Sequence, residues 1–144
     1  MLVHQILKSK PGSAVQSVPA NTKVSEAARI LAENRIGTVV VSEDGKTADG
    51  ILSERDIVRE LAKTGGGCLD RNVGDYMTRK LITCTPQSSS EDVLRQMTDG
   101  RFRHMPVVQD GVMVGLISIG DVVKAQLSQL AMEKDALEGM IMGH

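Results

Sequence analysis

Apolar residues in the first half of the chain alternate between strand spacing and helical spacing. A short extended segment is predicted at 15–19, and Ser25 is predicted to cap a helix whose apolar residues recur every three or four positions. A buried strand at 38–41, a turn and a return strand at 47–52 follow, and a second helix covers 53–63. The residues expected to face inward on that helix are Ile57, Val58 and Leu61. The first half therefore has the order strand, helix, strand, strand, helix.

The second half repeats this order after a glycine-rich segment. Residues 64–67 are predicted to form a flexible linker, and the cycle restarts with a short helix at 73–77. The elements predicted next are an extended segment at 81–84, a helix capped by Ser90, strands at 104–108 and 112–118, and a helix that starts near Gly120. Each half is too small to cover its own sheet. The two are expected to pack face to face about a pseudo-twofold axis.

The last part of the chain lies outside the repeat. From residue 127 to 142, apolar residues recur near helical spacing and predict an amphipathic helix. These residues are Leu127, Leu130, Ala131, Leu137 and Ile141. Two alternatives remain open, since such a helix either covers its own module or provides an oligomer contact.

One seven-residue segment occurs twice. Residues 50–56 (Gly-Ile-Leu-Ser-Glu-Arg-Asp) return 65 positions later as residues 115–121 (Gly-Leu-Ile-Ser-Ile-Gly-Asp). Upstream the offset is 66, as between Arg29 and Arg95, because the first hairpin holds one extra residue. A repeat requires an architecture that uses one unit twice. The predicted fold class is therefore α+β, with two β-α-β-β-α repeats. The boundaries predicted are 13–63 for the first repeat, 64–72 for the linker, 73–126 for the second repeat and 127–144 for the C-terminal helix.

Each copy places a serine and an aspartate at a predicted helix start. Free backbone N–H groups at such a start favour anions, and the hydroxyls of Ser53 and Ser118 could bond a phosphate or ribose oxygen. Asp56 and Asp121, three residues later, could accept both hydroxyls of a ribose. The same residues also form an ordinary helix-capping arrangement. Two copies in matched register, each with a glycine that would let a ligand approach the backbone, favour the ligand-binding interpretation.

Composition narrows the classes of function. The 144 residues include one Phe, one Tyr and no Trp, so base stacking on aromatic side chains is nearly excluded. A formal net charge of −1 argues against a DNA-coating surface. The longest apolar runs, such as 36–41, are too short to cross a bilayer, and the N-terminus lacks the basic stretch of a signal peptide. Cys68 and Cys84 form no CxxC pair, which indicates a reduced, cytoplasmic protein.

The sequence contains no pattern typical of an enzyme or a metal site. No serine lies in a nucleophile elbow, and no Gly-Lys-Ser/Thr follows the glycines at 65–67, so a P-loop is excluded. The three histidines, His4, His104 and His144, lack the spacing of metal ligands. Cys68 is expected to occupy an exposed loop without a redox role. No metal requirement is predicted.

These motifs resemble a tandem pair of cystathionine-beta-synthase (CBS) domains, often called a Bateman module. Both copies of the seven-residue segment match that family's glycine–apolar–x–Ser/Thr–x–x–Asp signature. Residues 35–41 and 101–108 are similar to its strand-entry segments, and residues 75–78 to the segment that opens a second repeat. The resemblance covers roughly residues 13–126. It is closer to small bacterial stand-alone CBS pairs than to the CBS inserts of inosine monophosphate dehydrogenase.

The resemblance implies a non-catalytic regulatory module for signal transduction or energy sensing. Such a module binds AMP, ADP, ATP, NAD(H) or S-adenosylmethionine in two clefts between the repeats. One cleft would use Ser53, Arg55, Asp56, Gly37 and Thr38, with Met77, Lys80, Ile82 and Phe102 opposite. The other would use Ser118, Gly120, Asp121, Arg103 and His104, with Ser13, Val15, Ile36 and Gly37 opposite. The expected partners are a second copy of the chain, in a homodimer or higher homo-oligomer, and an unidentified regulated protein, without DNA or membrane.

The charges near the two signatures differ. Arg55 and Arg103 abut the signature residues and are predicted to contact ligand phosphates, whereas Arg35 and Arg101 are predicted to be solvated helix-end charges. His104 is either a ligand contact or a half-buried histidine. The second signature lacks its own arginine and is expected to take charge from Arg103 and His104, so the clefts should differ in affinity. The rival functions are a structural adaptor with vestigial clefts and an enzyme acting on nucleotides.

Overall fold

The structure is a computed structural model and describes residues 1–10 and 15–141. Its helices and strands in chain order are α1 (Val3–Ser9), β1 (Ser17–Val18), α2 (Val24–Asn34), β2 (Thr38–Val41), β3 (Gly50–Ser53), α3 (Glu54–Thr64), α4 (Ser90–Gly100), β4 (His104–Gln109), β5 (Val112–Ser118) and α5 (Ile119–Ile141). Two 3-10 helices, Gly65–Asp70 and Val73–Asp75, lie between α3 and α4. The described chain divides into a first-repeat unit, residues 15–82 and 109–114, and a second-repeat unit, residues 1–10, 83–108 and 115–141.

The first-repeat unit is built on a three-stranded sheet in the order β1-β2-β3. β1 runs parallel to β2, and β3 runs antiparallel to it with Val39 opposite Leu52. All four residues of the central strand β2 are buried, as its continuous run of β-branched residues predicts. The helices α2 and α3 contribute Ala27, Leu31 and Ile57 to the same core. This sheet fixes the end of β3, where the first signature lies.

The core of the second-repeat unit lies among α1, α4, α5 and the β4–β5 hairpin. Its buried residues are Val3, Ile6, Cys84, Val93, Met97, Met105, Val107, Ile117, Val122 and Ala125. The tip of the hairpin, residues 109–114, groups with the first-repeat unit, where the N–H of Met113 donates to the carbonyl of Lys46 at 2.7 Å. The second signature lies at the junction of β5 and α5.

The predicted mixed α+β fold with two repeats is confirmed, although the repeats are not equally regular. The first contains the predicted order β1-α2-β2-β3-α3. In the second, residues 81–84 form no strand, and Cys84 makes only an isolated parallel bridge to Val107. This bridge consists of two backbone hydrogen bonds: the N–H of Cys84 donates to the carbonyl of Pro106 at 3.1 Å, and the N–H of Val108 donates to the carbonyl of Cys84 at 2.8 Å.

Two of the predicted helix caps are wrong. Ser25 lies inside α2, which begins at Val24, and the N–H of Val24 is satisfied by the carbonyl of Arg71 at 2.9 Å instead of by a side chain. Ser90 is the first residue of α4 and not its cap. Its side chain is fully buried, and its hydroxyl donates to Gln126 Oε1 at 3.1 Å, so it is not available to cap the helix. Ser89 caps α4 in its place and accepts from the N–H of Asp92 at 3.1 Å.

Three further expectations differ from the structure. The segment predicted as a flexible linker forms the 3-10 helix Gly65–Asp70, which buries Cys68 to 1% exposure instead of leaving it in an exposed loop. On α3 only Ile57 faces inward, since Val58 is 63% exposed and Leu61 37%. Helix α1 was not predicted, because its seven residues offer only Val3 and Ile6 as buried positions.

No helix in the described parts of the chain has the length and apolar content to cross a membrane.

Candidate functional site

The first signature caps helix α3. Ser53 is the N-cap, and its Oγ accepts from the N–H of Asp56 at 3.2 Å. Asp56 Oδ2 in turn accepts from the N–H of Ser53 at 2.8 Å and from its hydroxyl at 3.0 Å, which completes a capping box. The other carboxylate oxygen, Oδ1, accepts from Arg59 Nη1 at 3.1 Å. The capping interpretation is therefore realised in the structure, and the same bonds hold the Asp56 carboxylate in one orientation at the helix start.

The second signature repeats this geometry at the start of α5. The N–H of Ser118 donates to Asp121 Oδ2 at 2.8 Å, and Ser118 Oγ accepts from the N–H of Asp121 at 3.1 Å. The cation beside this aspartate is Lys10, whose Nζ lies 2.9 Å from Asp121 Oδ2 and donates to the carbonyl of Leu116 at 2.8 Å. Two signatures far apart in sequence thus place a serine and an oriented carboxylate in the same relation to a helix N-terminus.

Lys10 favours the ionised form of Asp121. Burial by itself raises the pKa of the Asp121 carboxyl. The hydrogen bond and charge of Lys10, together with the bonds from Ser118, outweigh burial, so the pKa lies below its ordinary value. The side chains of Lys10 and Asp121 are 33% and 24% exposed, so the pair is partly reachable from solvent. Asp121 is therefore a stable carboxylate acceptor at neutral pH.

The sequence suggested that the repeated glycines let a ligand approach the backbone. In the structure, neighbouring residues fill the space beside both glycines. A Cβ on Gly50 would lie 2.7 Å from Met77 Sδ and 2.9 Å from the carbonyl oxygen of Thr78. That carbonyl accepts from the N–H of Ile51 at 3.0 Å, so a neighbouring segment already occupies the space above Gly50. A Cβ on Gly115 would lie 2.7 Å from Leu7 Cδ2. Close packing within each unit, and not ligand approach, accounts for both glycines.

Most other predicted residues of the first signature lie in the first-repeat unit. Thr38 is buried and opposite Ser53 in the sheet register, and the carbonyl of Gly37 accepts from the N–H of Glu54 at 2.9 Å. These residues are therefore brought to the start of α3. The others in this unit are Met77, which is buried, Val15 and Ile36, which are half-buried, and Arg55, Lys80 and Ile82, which are exposed.

The second-repeat unit holds the remaining predicted residues. The carbonyl of Arg103 accepts from the N–H of Ile119 at 2.8 Å, which ties the start of β4 to the start of α5. His104 and Phe102 are half-buried, and Arg103 and Gly120 are exposed. Ser13 lies outside the described residues. Sequence reasoning missed Lys10, and no local pattern could have found it, because only the folded chain brings α1 to α5.

A pocket of about 450 Å³ lies in the first-repeat unit between α2 and α3. It is lined mainly by apolar residues, with Arg35 and Glu54 as its charged ones. It shares Ile36 and Gly37 with the predicted site but does not include Ser53 or Asp56. The pocket therefore reaches the first signature at Glu54 but not its serine and aspartate.

The described residues contain little that could perform catalysis. No group of three or more His, Cys, Asp or Glu side chains in the described chain is placed to hold a metal ion. Both cysteines are buried free thiols, and burial raises the pKa of Cys84 to about 11, which keeps it protonated and unreactive at neutral pH. The arrangement is suited to binding, through oriented carboxylates, hydroxyls and helix N-termini.

Comparisons with known proteins agree with this geometry. The family model of the CBS domain matches residues 7–63 and again residues 73–128. The CBS domain-containing protein CBSX3, mitochondrial, of Arabidopsis thaliana is 35% identical over 148 residues, covering 98% of this chain and 72% of the relative. The crystal structure of the CBS-domain containing protein ATU1752 from Agrobacterium tumefaciens matches with a TM-score of 0.83 at 39% identity, covering 88% of this chain and 99% of that one.

A further solved structure contains bound molecules. It is the CBS domain pair of protein MJ0100 in complex with 5′-methylthioadenosine and S-adenosyl-L-methionine. Its TM-score is 0.77 at 26% identity, and the match covers 90% of this chain and 98% of that one. The two matches of the family model each include one signature and its helix start. The chain therefore belongs to the CBS-domain family, and its two repeats are a tandem pair of CBS domains.

Proposed function

We propose that this chain is a non-catalytic regulatory module that binds adenosine-containing ligands. The observation that carries the proposal is the matched pair of serine–aspartate helix starts, which hold Asp56 and Asp121 in equivalent orientations. A carboxylate so placed suits the two hydroxyls of a ribose. The ligands bound by MJ0100, 5′-methylthioadenosine and S-adenosyl-L-methionine, share an adenosine, which supports this ligand class. The candidates are AMP, ADP, ATP, NAD(H) and S-adenosylmethionine.

The two signatures would bind in different ways. At Asp56, Oδ2 accepts hydrogen bonds from Ser53, so Oδ1 is the atom that a ribose hydroxyl would bind. The ribose would there replace Arg59, which donates to Oδ1 in the free chain. That exchange costs little, because the Arg59 side chain is 59% exposed and exposed ion pairs are weak. At Asp121, Lys10 supplies the cation that the sequence assigned to Arg103 and His104. A phosphate-bearing ligand gains a partner there.

The remaining candidate residues stay proposals. They are Gly37, Thr38, Arg55, Met77, Lys80, Ile82 and Phe102 for the first signature, and Arg103, His104, Gly120, Ser13, Val15, Ile36 and Gly37 for the second. We also propose that the chain acts in the cytoplasm, because Cys68 and Cys84 are both free thiols. The residues at the signatures include no activated nucleophile or general base, so ligand binding would act by changing the activity of a second, regulated protein and not by catalysis.

Isothermal titration calorimetry of the full chain with AMP, ATP, NADH and S-adenosylmethionine tests the proposal. Asp56→Asn and Asp121→Asn are each expected to weaken one of the two binding events by at least about tenfold, or 1.4 kcal/mol, because the amide nitrogen cannot accept a hydrogen bond from a ribose hydroxyl. Asparagine keeps the size of the side chain and an acceptor for the cap, so the helix start should survive.

Asp92→Asn is the matched control for these variants. Asp92 also follows a capping serine by three residues, donates its N–H to Ser89 Oγ at 3.1 Å and pairs with Arg95 at 3.1 Å. It lies in α4, outside both signatures, so its substitution should leave titrations unchanged. Binding by none of the four ligands would contradict the proposal and favour a structural adaptor. Equal losses in all three variants would assign the effect to helix capping.

A further inference from the structure

Helix α5 carries an apolar stripe that the chain itself does not cover. The α5 stripe consists of Val123 (41% exposed), Leu127 (63%), Leu130 (61%), Leu137 (58%) and Ile141 (82%). Beyond residue 130, every side chain of α5 in the described range is exposed except the half-buried Gly139. A helical segment of about ten residues is marginal in water without packing. The exposed part of α5 therefore requires a partner surface to be stable.

The α5 stripe is not the face by which α5 packs on its own unit. Val122 and Ala125 are buried in the second-repeat core, and Gln126 accepts from Ser90 Oγ at 3.1 Å. One turn later, Gln129 Oε1 accepts from the amino group of Met1 at 2.9 Å. At about 100° per residue, Val122, Ala125 and Gln129 lie a quarter-turn or more from the centre of the stripe, and Gln126 lies about 60° from it. The helix thus has one face for its unit and another that remains exposed.

The spacing of the α5 stripe is that of a coiled-coil seam. Its positions are separated alternately by four and three residues: 123, 127, 130, 134, 137 and 141. Five of the six are apolar, and the sixth is Lys134. Seam positions repeating in this way pack into holes on a facing helix, and one polar seam residue fixes register and strand number. The pattern favours one facing helix with the same repeat, in preference to a flat apolar surface.

The charges of the same segment argue against a membrane and for a second copy. Residues 123–141 contain two lysines and three acidic residues, so the helix lacks the basic polar face of a lipid-binding helix. We propose that the α5 stripe pairs with the α5 stripe of a second copy of this chain, in an antiparallel two-helix seam. Aligned over its whole length, Val123 would then face Ile141, Leu127 would face Leu137, and Leu130 would face Lys134.

The antiparallel direction follows from the flanking charges. In a parallel pair the Lys134 side chains would face each other, and Glu133 would flank Glu138. In the antiparallel pair Lys124 flanks Glu138 on both sides of the seam, and Lys134 lies close to Glu133 near the axis. The antiparallel arrangement also brings the two Glu133 side chains together near the axis, but its two Lys124–Glu138 pairs give it the more favourable balance of charges along the edges.

Sedimentation velocity of the full chain over a range of concentrations tests the seam. The test variant is Leu137→Glu and its matched control is Met132→Glu, since each side chain is 58% exposed and Met132 lies on the opposite side of α5. We expect Leu137→Glu to halve the mass of the wild-type species, with self-association weakened at least about tenfold. Met132→Glu should leave the mass unchanged. A monomeric wild type, or equal behaviour of the two variants, would overturn the proposal.

A stabilising variant guards against loss of folding as the cause. Lys134→Leu replaces the polar seam residue and should tighten association, so an unchanged dissociation constant would also count against the seam.

Charge reversal tests whether the two helices run antiparallel or parallel. Lys124→Glu and Glu138→Lys should each weaken association, and the double variant should restore it. Tighter association of Glu138→Lys alone would instead indicate a parallel pair and overturn the antiparallel register.

Discussion

Lys10 distinguishes the two signatures at the scale of single residues. Asp56 is paired with Arg59 from its own helix, at 3.1 Å and largely in solvent. Asp121 is paired with Lys10 from the other end of its unit, at 2.9 Å and partly buried. A cation held from outside the helix also ties the N-terminal segment to the start of α5, because Lys10 bonds the carbonyl of Leu116 as well. The contact therefore serves stability as well as the candidate site.

We expect Lys10→Met to destabilise the chain in a pH-dependent way. The pKa of Asp121 is lower in the folded chain than its ordinary value. Its ionised form therefore stabilises the fold fully above about pH 4, and this contribution is lost as the pH falls through the folded pKa. At pH 7 the variant should lose about 1 kcal/mol in urea unfolding, and the difference from wild type should shrink near pH 3.

Lys46→Met provides the control for this pH dependence. Lys46 is exposed, lies in the turn before β3 and belongs to the first-repeat unit, whereas Asp121 belongs to the second-repeat unit. Its substitution should leave the unfolding free energy within about 0.5 kcal/mol of wild type at both pH values. A loss in Lys10→Met that stays the same from pH 7 to pH 3 would show that the bond to Leu116, and not the pairing with Asp121, accounts for the contribution of Lys10.

At the scale of elements, the repeated glycines anchor β3 and β5 by close packing. An alanine at Gly50 would meet the backbone carbonyl of Thr78 at 2.9 Å, whereas one at Gly115 would meet only the end of the Leu7 side chain. We expect Gly50→Ala to cost about 2–3 kcal/mol and Gly115→Ala about 1 kcal/mol, since a side chain shifts more easily than a bridged backbone. Denaturant unfolding measures both.

Gly66→Ala is the control for these substitutions. Gly66 has no atom within 4 Å of an added Cβ, so alanine there should be neutral or slightly stabilising. Equal losses at Gly50 and Gly115 would contradict the packing explanation, and a loss at Gly66 of the same size would indicate a general effect of replacing glycine.

The sequence predicts those elements whose signal is local. Strand β2 and helix α3 follow from a β-branched run and from a serine–aspartate cap, and the 65-residue repeat predicts the two-repeat architecture. Helix α1 could not be predicted, because its burial depends on distant parts of the chain. The same holds for the cap of α4, where Ser90 is withdrawn by a bond to Gln126 in α5. Of the candidate site, residue types and register were predictable, whereas the Lys10 contact was not.

At the scale of the whole molecule, one helix connects the second signature to the proposed seam. Asp121 lies in the first turn of α5, directly after Ser118 at the end of β5, and the 23 residues of α5 span about 35 Å up to Ile141. A ligand bound at Asp121 would stabilise the N-terminal turn of this helix. An ordered α5 would in turn present the complete stripe to a second copy. The candidate site and the seam are thus on one element, and both depend on its being helical.

This connection predicts reciprocal coupling between ligand binding and self-association. Saturating ligand should tighten wild-type association by about fivefold or more in sedimentation. The dimer-disrupting Leu137→Glu should then bind the same ligand about twofold more weakly, because two equivalent sites per dimer share the coupling. Asp121→Asn should abolish the coupling, whereas Asp56→Asn should preserve it, because Asp56 lies in the first-repeat unit and caps α3. Equal ligand affinity in wild type and Leu137→Glu would mean that the two events are independent. Reciprocity is required by thermodynamic linkage, so a ligand effect on association without the matching change in ligand affinity would point to a second binding surface instead of α5.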